Sequence, residues 1–354
     1  MSEKVLMKGN EVLAESAMRA GCKYFFGYPI TPQTELSAYM SKHMPKIGGT
    51  FLQAESEVAA INMVYGAAAA GARVMTSSSS PGISLKSEGV SYIAGADLPA
   101  VIINVMRGGP GLGSIQPSQS DYWQATRALG HGDFQMVVYA PSTVQEMADY
   151  VAKAFDVADE YRTPVMILLD GLLGQMMEPV ELPEQKESIP DKPWACTGTK
   201  GEREHNIANS LYLDADLLDQ TNRDRYERYD KIKATEQLSE EYLCDDADIV
   251  VVAFGAAARI ARNAVNAARE QGIKAGLFRP ITLWPFPVDA LEKTIGHAKG
   301  YLSVEMNMGQ MVDDVRLVVA GRAPVEFYGR AGGVIPTPAE VLDAIVALDQ
   351  KVGE

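Results

Sequence analysis

The chain has 354 residues, 47% of them hydrophobic, which suffices for two ordinary domains with packed cores. A formal net charge of −14 argues against nucleic-acid binding and against docking on anionic membranes. The three cysteines and four histidines are scattered, with no C-x-x-C pair and no H-E-x-x-H spacing. This chain alone therefore builds no cysteine-ligated cluster or zinc site.

Apolar runs at 24–26, 74–77, 100–105, 136–139 and 165–169 predict strands. Helical patterns fall between them at 9–20, 35–43, 57–71, 85–94 and 144–161, the alternation of a parallel α/β sheet. Ser142, with Glu146 close behind, marks a helix start. The pattern breaks over 181–246, where Pro183, Pro190 and Pro193 read as a linker and the mixed charge at 222–230 as a solvated helical excursion. A second α/β unit opens at Ala247-Asp248-Ile249-Val250-Val251-Val252-Ala253-Phe254-Gly255 and runs into a helix to about Gln271. Further strands are predicted at 274–278, 300–304 and 325–328, and a closing helix at 338–348. The predicted division is therefore 1–180, 181–246 and 247–354. No apolar run reaches the ~18 residues of a membrane span, and Met1-Ser2-Glu3-Lys4-Val5 lacks the layout of a secretory signal. A cytoplasmic location is expected.

Two segments carry chemistry. Gly27-Tyr28-Pro29-Ile30-Thr31-Pro32-Gln33-Thr34 follows a short strand. Gly27 permits a tight turn, Pro29 and Pro32 stiffen it, and Thr31 is placed to cap the next helix with Pro32 as its first residue. Such a loop fixes a hydroxyl and backbone N–H groups at the carboxyl end of a strand, where open α/β sheets bind ligands. An ordinary strand-to-helix turn has the same local chemistry. Downstream, Phe51-Leu52-Gln53-Ala54-Glu55-Ser56-Glu57-Val58 runs into an Ala-rich helix. The helix dipole favours Glu57 at its mouth, and the small apolar residues behind it would desolvate the carboxylate and raise its pKa. The hydroxyls of Thr76-Ser77-Ser78-Ser79-Ser80-Pro81-Gly82 border either a ligand or a plain turn and cap. Other chemistries fail on spacing. Phe254-Gly255-Ala256 lacks the glycines of a dinucleotide loop, and neither a Walker A lysine loop nor a G-x-S-x-G elbow exists.

Together these segments resemble the pyrimidine-binding domain of the 2-oxoacid:ferredoxin oxidoreductases, a family of thiamine diphosphate enzymes. In that family a Tyr-Pro-Ile-Thr-Pro loop meets substrate, and a glutamate followed by a glycine touches the aminopyrimidine; Glu57 and Gly66 have the family's spacing. Asn104-Val105-Met106-Arg107-Gly108-Gly109-Pro110 resembles the segment that brings an arginine to the substrate. The stretch from Gly111 to Asp121 is most similar to the alpha-type subunit of the 2-oxoisovalerate (branched-chain) subgroup. Phe278-Arg279-Pro280-Ile281-Thr282-Leu283-Trp284-Pro285-Phe286-Pro287 and Gly329-Arg330-Ala331-Gly332-Gly333 resemble the family's second domain, a transketolase carboxyl-terminal-like unit.

The resemblance implies an α/β fold with two parallel-sheet domains. It implies Glu57 as the acid/base partner of the aminopyrimidine, with Pro29, Ile30 and Thr31 beside the cofactor. It directs the Thr31 hydroxyl to the substrate, and Arg107 to a 2-oxoacid carboxylate or a coenzyme A phosphate. A helix cap for Thr31 and a structural salt bridge for Arg107 stand beside those roles. The family's Gly-Asp-Gly magnesium segment has no counterpart here, and this chain supplies no metal ligand. The diphosphate, its magnesium and the iron–sulfur clusters then fall to a diphosphate-binding beta-type subunit, a gamma-type subunit and a cluster-bearing ferredoxin-like subunit. The implied reaction is oxidative decarboxylation of 2-oxoisovalerate to the acyl-coenzyme A, with electrons passed to ferredoxin. The same reaction on 2-oxoglutarate or pyruvate, and a non-catalytic scaffold that kept the fold, are the alternatives.

Overall fold

The computed structural model describes residues 4–353. Strand β1 (Val5–Lys8) and helix α1 (Gly9–Arg19) come first, followed by β2 (Tyr24–Gly27), α2 (Thr34–His43), β3 (Thr50–Gln53) and α3 (Glu57–Ala69). Next are β4 (Val74–Ser78), α4 (Pro81–Gly95), β5 (Ala100–Met106), β6 (Val137–Tyr139), α5 (Val144–Tyr161), β7 (Pro164–Asp170), α6 (Gly171–Gln175) and β8 (Met177–Val180). The charged excursion holds α7 (Ala215–Thr235) and β9 (Ser239–Tyr242). The chain closes with β10 (Ile249–Val252), α8 (Gly255–Glu270), β11 (Ala275–Pro280), β12 (Thr282–Trp284), α9 (Val288–Glu292), β13 (Gly300–Glu305), α10 (Val312–Val319), β14 (Val325–Gly329) and α11 (Pro338–Gly353).

The larger sheet has seven strands in the order β12-β6-β7-β5-β4-β2-β3, the smaller five in the order β14-β13-β10-β11-β9. Both are parallel except for one edge strand each, β12 and β9. Every residue of β5 and of β7 is buried, as expected of central parallel strands covered on both faces by helices. Among the described residues, no helix is long and apolar enough to cross a membrane.

Several local expectations shift. Helix α4 starts at Pro81 rather than Leu85, with proline in its first turn where a missing N–H costs nothing. Helix α5 is capped by Thr143, whose hydroxyl accepts from the Glu146 N–H, while the Glu146 carboxylate reaches back to the Ser142 N–H. Strands β1, β3, β8, β9 and β12 are additions to the predicted set: the first four are short edge pieces with mostly unburied positions, and β12 has only three residues. Two strands also cross between the units. β12 follows β11 in the chain yet extends the larger sheet by pairing Thr282 with Tyr139, and β9 precedes residue 247 yet edges the smaller sheet.

This exchange explains the Phe278-Arg279-Pro280-Ile281-Thr282 motif. Arg279 is 4% exposed and makes two bonds to the Glu146 carboxylate (3.0 and 2.6 Å) and one to Glu240 (2.7 Å), so it ties α5 to β9 and β11. A second seam forms at Gln119, whose side-chain amide donates to Phe254 O (2.8 Å) and accepts from the Met306 N–H (3.1 Å). Replacing Arg279 with Met leaves Glu146 without its cation and Glu240 with Arg262 alone. Breaking a buried pair costs about 3–5 kcal/mol; with Glu240 at 36% side-chain exposure, the lower end applies. We expect a marked fall in the urea midpoint of the full chain. An unchanged midpoint would show that apolar contact alone docks the two sheets.

Candidate active site

Strands β3, β2, β4 and β5 lie side by side and parallel, so their carboxyl ends open onto one edge of the sheet. Open α/β sheets bind ligands at such an edge. The Gly27–Thr34 loop leaves β2 there. The Gln33 N–H donates to Ile30 O (3.2 Å), closing a turn, and helix α2 begins only at Thr34 with Gln33 as its N-cap. The expectation that Thr31 caps the helix, with Pro32 as its first residue, is thus corrected. A residue before proline is steered away from helical backbone, so the chain turns first and the helix starts later. Pro29 and Thr31 are exposed and Ile30 is half-buried. Gln33 anchors the loop from beneath: its amide donates to Tyr28 O (3.3 Å), and its carbonyl accepts from Ser77 Oγ (2.6 Å) and Ser37 Oγ (3.0 Å).

Glu57 is the first residue of α3, whose N-cap Ser56 accepts from the Ala59 N–H (3.1 Å). The Glu57 side chain is 6% exposed, and among the described residues no donor of the chain hydrogen-bonds its carboxylate. It rests against the start of α4. A methyl group added at Gly82 would stand 2.8 Å from Glu57 Oε1 and 2.1 Å from Ser78 Oγ. Only glycine at position 82 lets the carboxylate and the Ser78 hydroxyl come so close to the helix backbone. Gly66 is not brought to the same place. Nine residues at 100° each put it on the opposite face of α3, where it is exposed.

Arg107, at the end of β5, is 9% exposed and among the described residues has no carboxylate partner, so the salt-bridge alternative is not realised there. Its guanidinium donates to Thr31 O (3.0 Å) and to Leu112 O (3.1 Å), leaving a buried Nε without a partner. Thr31 and Arg107 are therefore in direct contact, and Arg107 joins the Gly27–Thr34 loop to the Gly-rich loop that follows β5. The Gly329–Gly333 motif packs on that second loop: a methyl on Gly108 would stand 3.0 Å from Gly332 C, and one on Gly333 2.4 Å from Gln116 Cβ.

Between Glu57 and Arg107 runs the serine segment. Ser80 has φ 23°, an unfavourable backbone for an L-residue, and a dense network holds it there. Ser80 Oγ donates to Asp121 Oδ2 (2.6 Å) and accepts from the Arg107 N–H (3.0 Å), while Asn104 bonds both the Ser80 N–H (3.1 Å) and Asp121 (2.9 Å). Burial pushes the Asp121 carboxyl up, against the pull of its Ser80 and Asn104 bonds. Next to this network the hydroxyls of Ser78 and Ser79 are buried with no partner among the described residues. Buried polar atoms are normally satisfied, so three orphans (Ser78, Ser79 and Arg107 Nε) at one sheet edge mark a place for a polar ligand. An aminopyrimidine bonded to Glu57 fits that set. Among the described residues, no group of three or more His, Cys, Asp or Glu could hold a metal ion.

The sequence reading did not single out Gln33, the Asn104–Asp121 pair or Lys86. Lys86 is fully buried, and its ammonium donates to Thr76 Oγ1 (2.7 Å) and Ser77 O (2.9 Å). A lysine on the same helical face as Gly82 and Gly89 was the available signal. Burial pushes its pKa down to about 7, opposed by the Glu57 carboxylate. The unfolded chain therefore holds more protons than the folded one between about 7 and 10.5, so stability falls as pH drops through that window. We expect the urea midpoint of the full chain to rise from pH 7 to pH 10, and Lys86→Met to flatten that rise.

Residues 15–241 match the family model described as pyruvate flavodoxin/ferredoxin oxidoreductase, thiamine diphosphate-binding, and residues 247–341 match pyruvate:ferredoxin oxidoreductase core domain II. The ketoisovalerate oxidoreductase subunit VorB of Methanothermobacter thermautotrophicus is 51% identical over 341 residues, 96% of each chain. The 2-oxoglutarate synthase subunit KorA of Archaeoglobus fulgidus is 37% identical over 92% of this chain and 95% of its own. Among solved structures, a 2-oxoglutarate:ferredoxin oxidoreductase from Magnetococcus marinus, with 2-oxoglutarate, coenzyme A and succinyl-CoA bound, superposes at a TM-score of 0.89 and 26% identity. That match covers 99% of this chain and 66% of the longer one. A split-gene transketolase shares the fold at a TM-score of 0.62 and 15% identity, over 97% of this chain and 98% of its own. With two family units matched in succession over most of its length, the chain belongs to the pyruvate flavodoxin/ferredoxin oxidoreductase family.

Proposed function

We propose that this chain is the pyrimidine-binding, alpha-type subunit of an enzyme that oxidatively decarboxylates a branched-chain 2-oxoacid, 2-oxoisovalerate foremost, to its acyl-coenzyme A. Carbon dioxide leaves, the acyl group joins the coenzyme A thiol, and the electron pair passes one electron at a time to ferredoxin. The observation that carries this reading is the buried, unbonded Glu57 carboxylate facing unpartnered buried hydroxyls, beside an Arg107 that grips the Thr31 loop. The substrate subtype is supported by identities of 51% and 49% to ketoisovalerate subunits, against 35–37% to 2-oxoglutarate and 28% to pyruvate subunits.

Thiamine diphosphate, when bound, supplies a nucleophilic thiazolium carbon and an electron sink. The chain's own residues do the rest on the pyrimidine side. Glu57 shares a proton with a ring nitrogen of the cofactor, and its buried setting excludes competing water. Pro29 and Ile30 shape the apolar wall beside it. The Thr31 hydroxyl serves as donor to the reacting oxygen of the 2-oxoacid, and the unpartnered Arg107 Nε–H as donor to its carboxylate. Residues 1–180 serve as the pyrimidine domain, 181–246 as a charged connection and 247–354 as the transketolase-like unit. Partner subunits of beta, gamma and ferredoxin-like type supply magnesium, the diphosphate contacts and the iron–sulfur clusters, in the cytoplasm.

The test is anaerobic purification of the tagged chain from its host with whatever accompanies it. Ferredoxin reduction is then assayed with coenzyme A and each of 2-oxoisovalerate, 2-oxoglutarate and pyruvate. Highest kcat/KM on 2-oxoisovalerate, with thiamine diphosphate and a cluster-bearing subunit in the preparation, is the expected result. A chain recovered without thiamine or partners would return the scaffold alternative. A smaller effect is expected from Arg107→Lys, which cannot serve Thr31 O and Leu112 O with one planar fork. Its KM for 2-oxoacid should rise about tenfold, the scale of one lost charge-assisted bond, with kcat changed less. Unchanged kinetics would remove Arg107 from the site.

A further inference from the structure

We infer that Lys86 is a positioning residue of this site: from the α3–α4 interface its ammonium acts as the buried counter-charge that holds the Glu57 carboxylate in place at the sheet edge. The inference rests on the assignment of Glu57 to the site, and its test reads the pair without cofactor.

Gly82, Lys86 and Gly89 are spaced i, i+4, i+7 and so share one face of α4. Both glycines meet α3. A methyl at Gly82 would stand 2.8 Å from Glu57 Oε1, and one at Gly89 2.5 Å from Ile61 Cγ2. The two helices are thus drawn together on either side of Lys86, which has 0% exposure. Among the described residues, the charge that acts on its ammonium is Glu57, from α3. Strand β4 offers only the Thr76 hydroxyl and the Ser77 carbonyl, and among the described residues no carboxylate makes a direct ion pair with the ammonium. Two hydrogen bonds leave one N–H of the ammonium over. An apolar side chain would fill this place at less cost than a buried cation, which is tolerated only where an opposite charge compensates it.

The same β4 residues also fasten the substrate loop. Thr76 Oγ1 donates to Phe26 O (2.6 Å), and Ser77 Oγ donates to Gln33 Oε1 (2.6 Å). Lys86 therefore stands where the Glu57 arm and the Gly27–Thr34 arm meet. A core lysine that merely pins α4 to β4 would make the same two bonds but would be indifferent to the state of Glu57.

The experiment is a double-mutant cycle of Lys86→Met and Glu57→Gln in the full chain, read as urea midpoints at pH 6 and pH 9. At pH 6, with Lys86 protonated, the two substitutions should be strongly non-additive, the double variant recovering part of the loss seen in each single one. At pH 9 the ammonium is largely neutral and the effects should add. Additivity at both values, or equal coupling at both, overturns the inference. If Lys86→Met does not fold, Lys86→Gln, which retains a donor for Thr76, runs the same cycle. In the assembled enzyme, Lys86→Met should also lower kcat with KM little changed. Coupling in the cycle alongside full turnover in Glu57→Gln would keep the pair and remove Glu57 from catalysis, so the two failures are distinguishable.

Discussion

Glu57→Gln should lower turnover of the assembled enzyme on the order of 10²- to 10⁴-fold, the range supplied by a well-placed general acid or base. The substitution keeps the size of the side chain and its carbonyl acceptor, and removes only the ability to hold or release a proton. Its structural cost is small above about pH 7, where Lys86 is largely neutral. Glu57 is the first residue of α3, where a negative charge is worth roughly 0.3–1 kcal/mol against the helix dipole. The Ser56 cap is untouched, so the chain should fold and assemble. The informative measurement is kcat for 2-oxoacid-dependent ferredoxin reduction beside the thiamine content of the purified complex. Near-normal turnover would sink the assignment. Normal cofactor content with lost turnover would separate the proton role from simple binding.

Gly82→Ala should be the next most damaging substitution, for a steric reason. The new methyl would lie 2.1 Å from Ser78 Oγ and 2.8 Å from Glu57 Oε1, distances that no real side chain tolerates, so the hydroxyl and the carboxylate must both move. Displacing a catalytic group by about 1 Å is enough to cost ~10²-fold in rate. Stability gives a different answer. Alanine improves helix propensity by up to about 1 kcal/mol, while overpacking costs about 1–3 kcal/mol. The net change in the unfolding midpoint should be modest and the loss of kcat large. Activity close to wild type would mean that the α3–α4 contact relaxes freely and that Glu57 is not held in place by it.

The site was legible in the sequence wherever chemistry follows from residue type at a turn. The proline-stiffened loop, a carboxylate opening an alanine-rich helix and an arginine before a run of glycines each declare themselves locally. In the structure Thr31, Glu57 and Arg107 lie along one sheet edge. The Glu57–Gly66 pairing looked equally good as spacing, yet helical geometry sends the two to opposite faces. The helix cap assigned to Thr31 failed because the turn closed by the Gln33 N–H comes before the helix.

Local periodicity determined the alternation of strands and helices, including the apolar runs of β5 and β7, which the structure shows wholly buried as a parallel sheet covered on both faces requires. Which strands become neighbours is not a local property. The three residues of β12 carry no pattern of their own, and they join the larger sheet because Tyr139 on β6 leaves an open edge for them. The charged residues of β9 read as solvated until Arg279 is seen pairing with Glu240. Lys86 illustrates the same limit at the site: its face on α4 can be counted from the sequence, but only the packing of α3 across that face brings a carboxylate to it and makes a buried cation chemically meaningful.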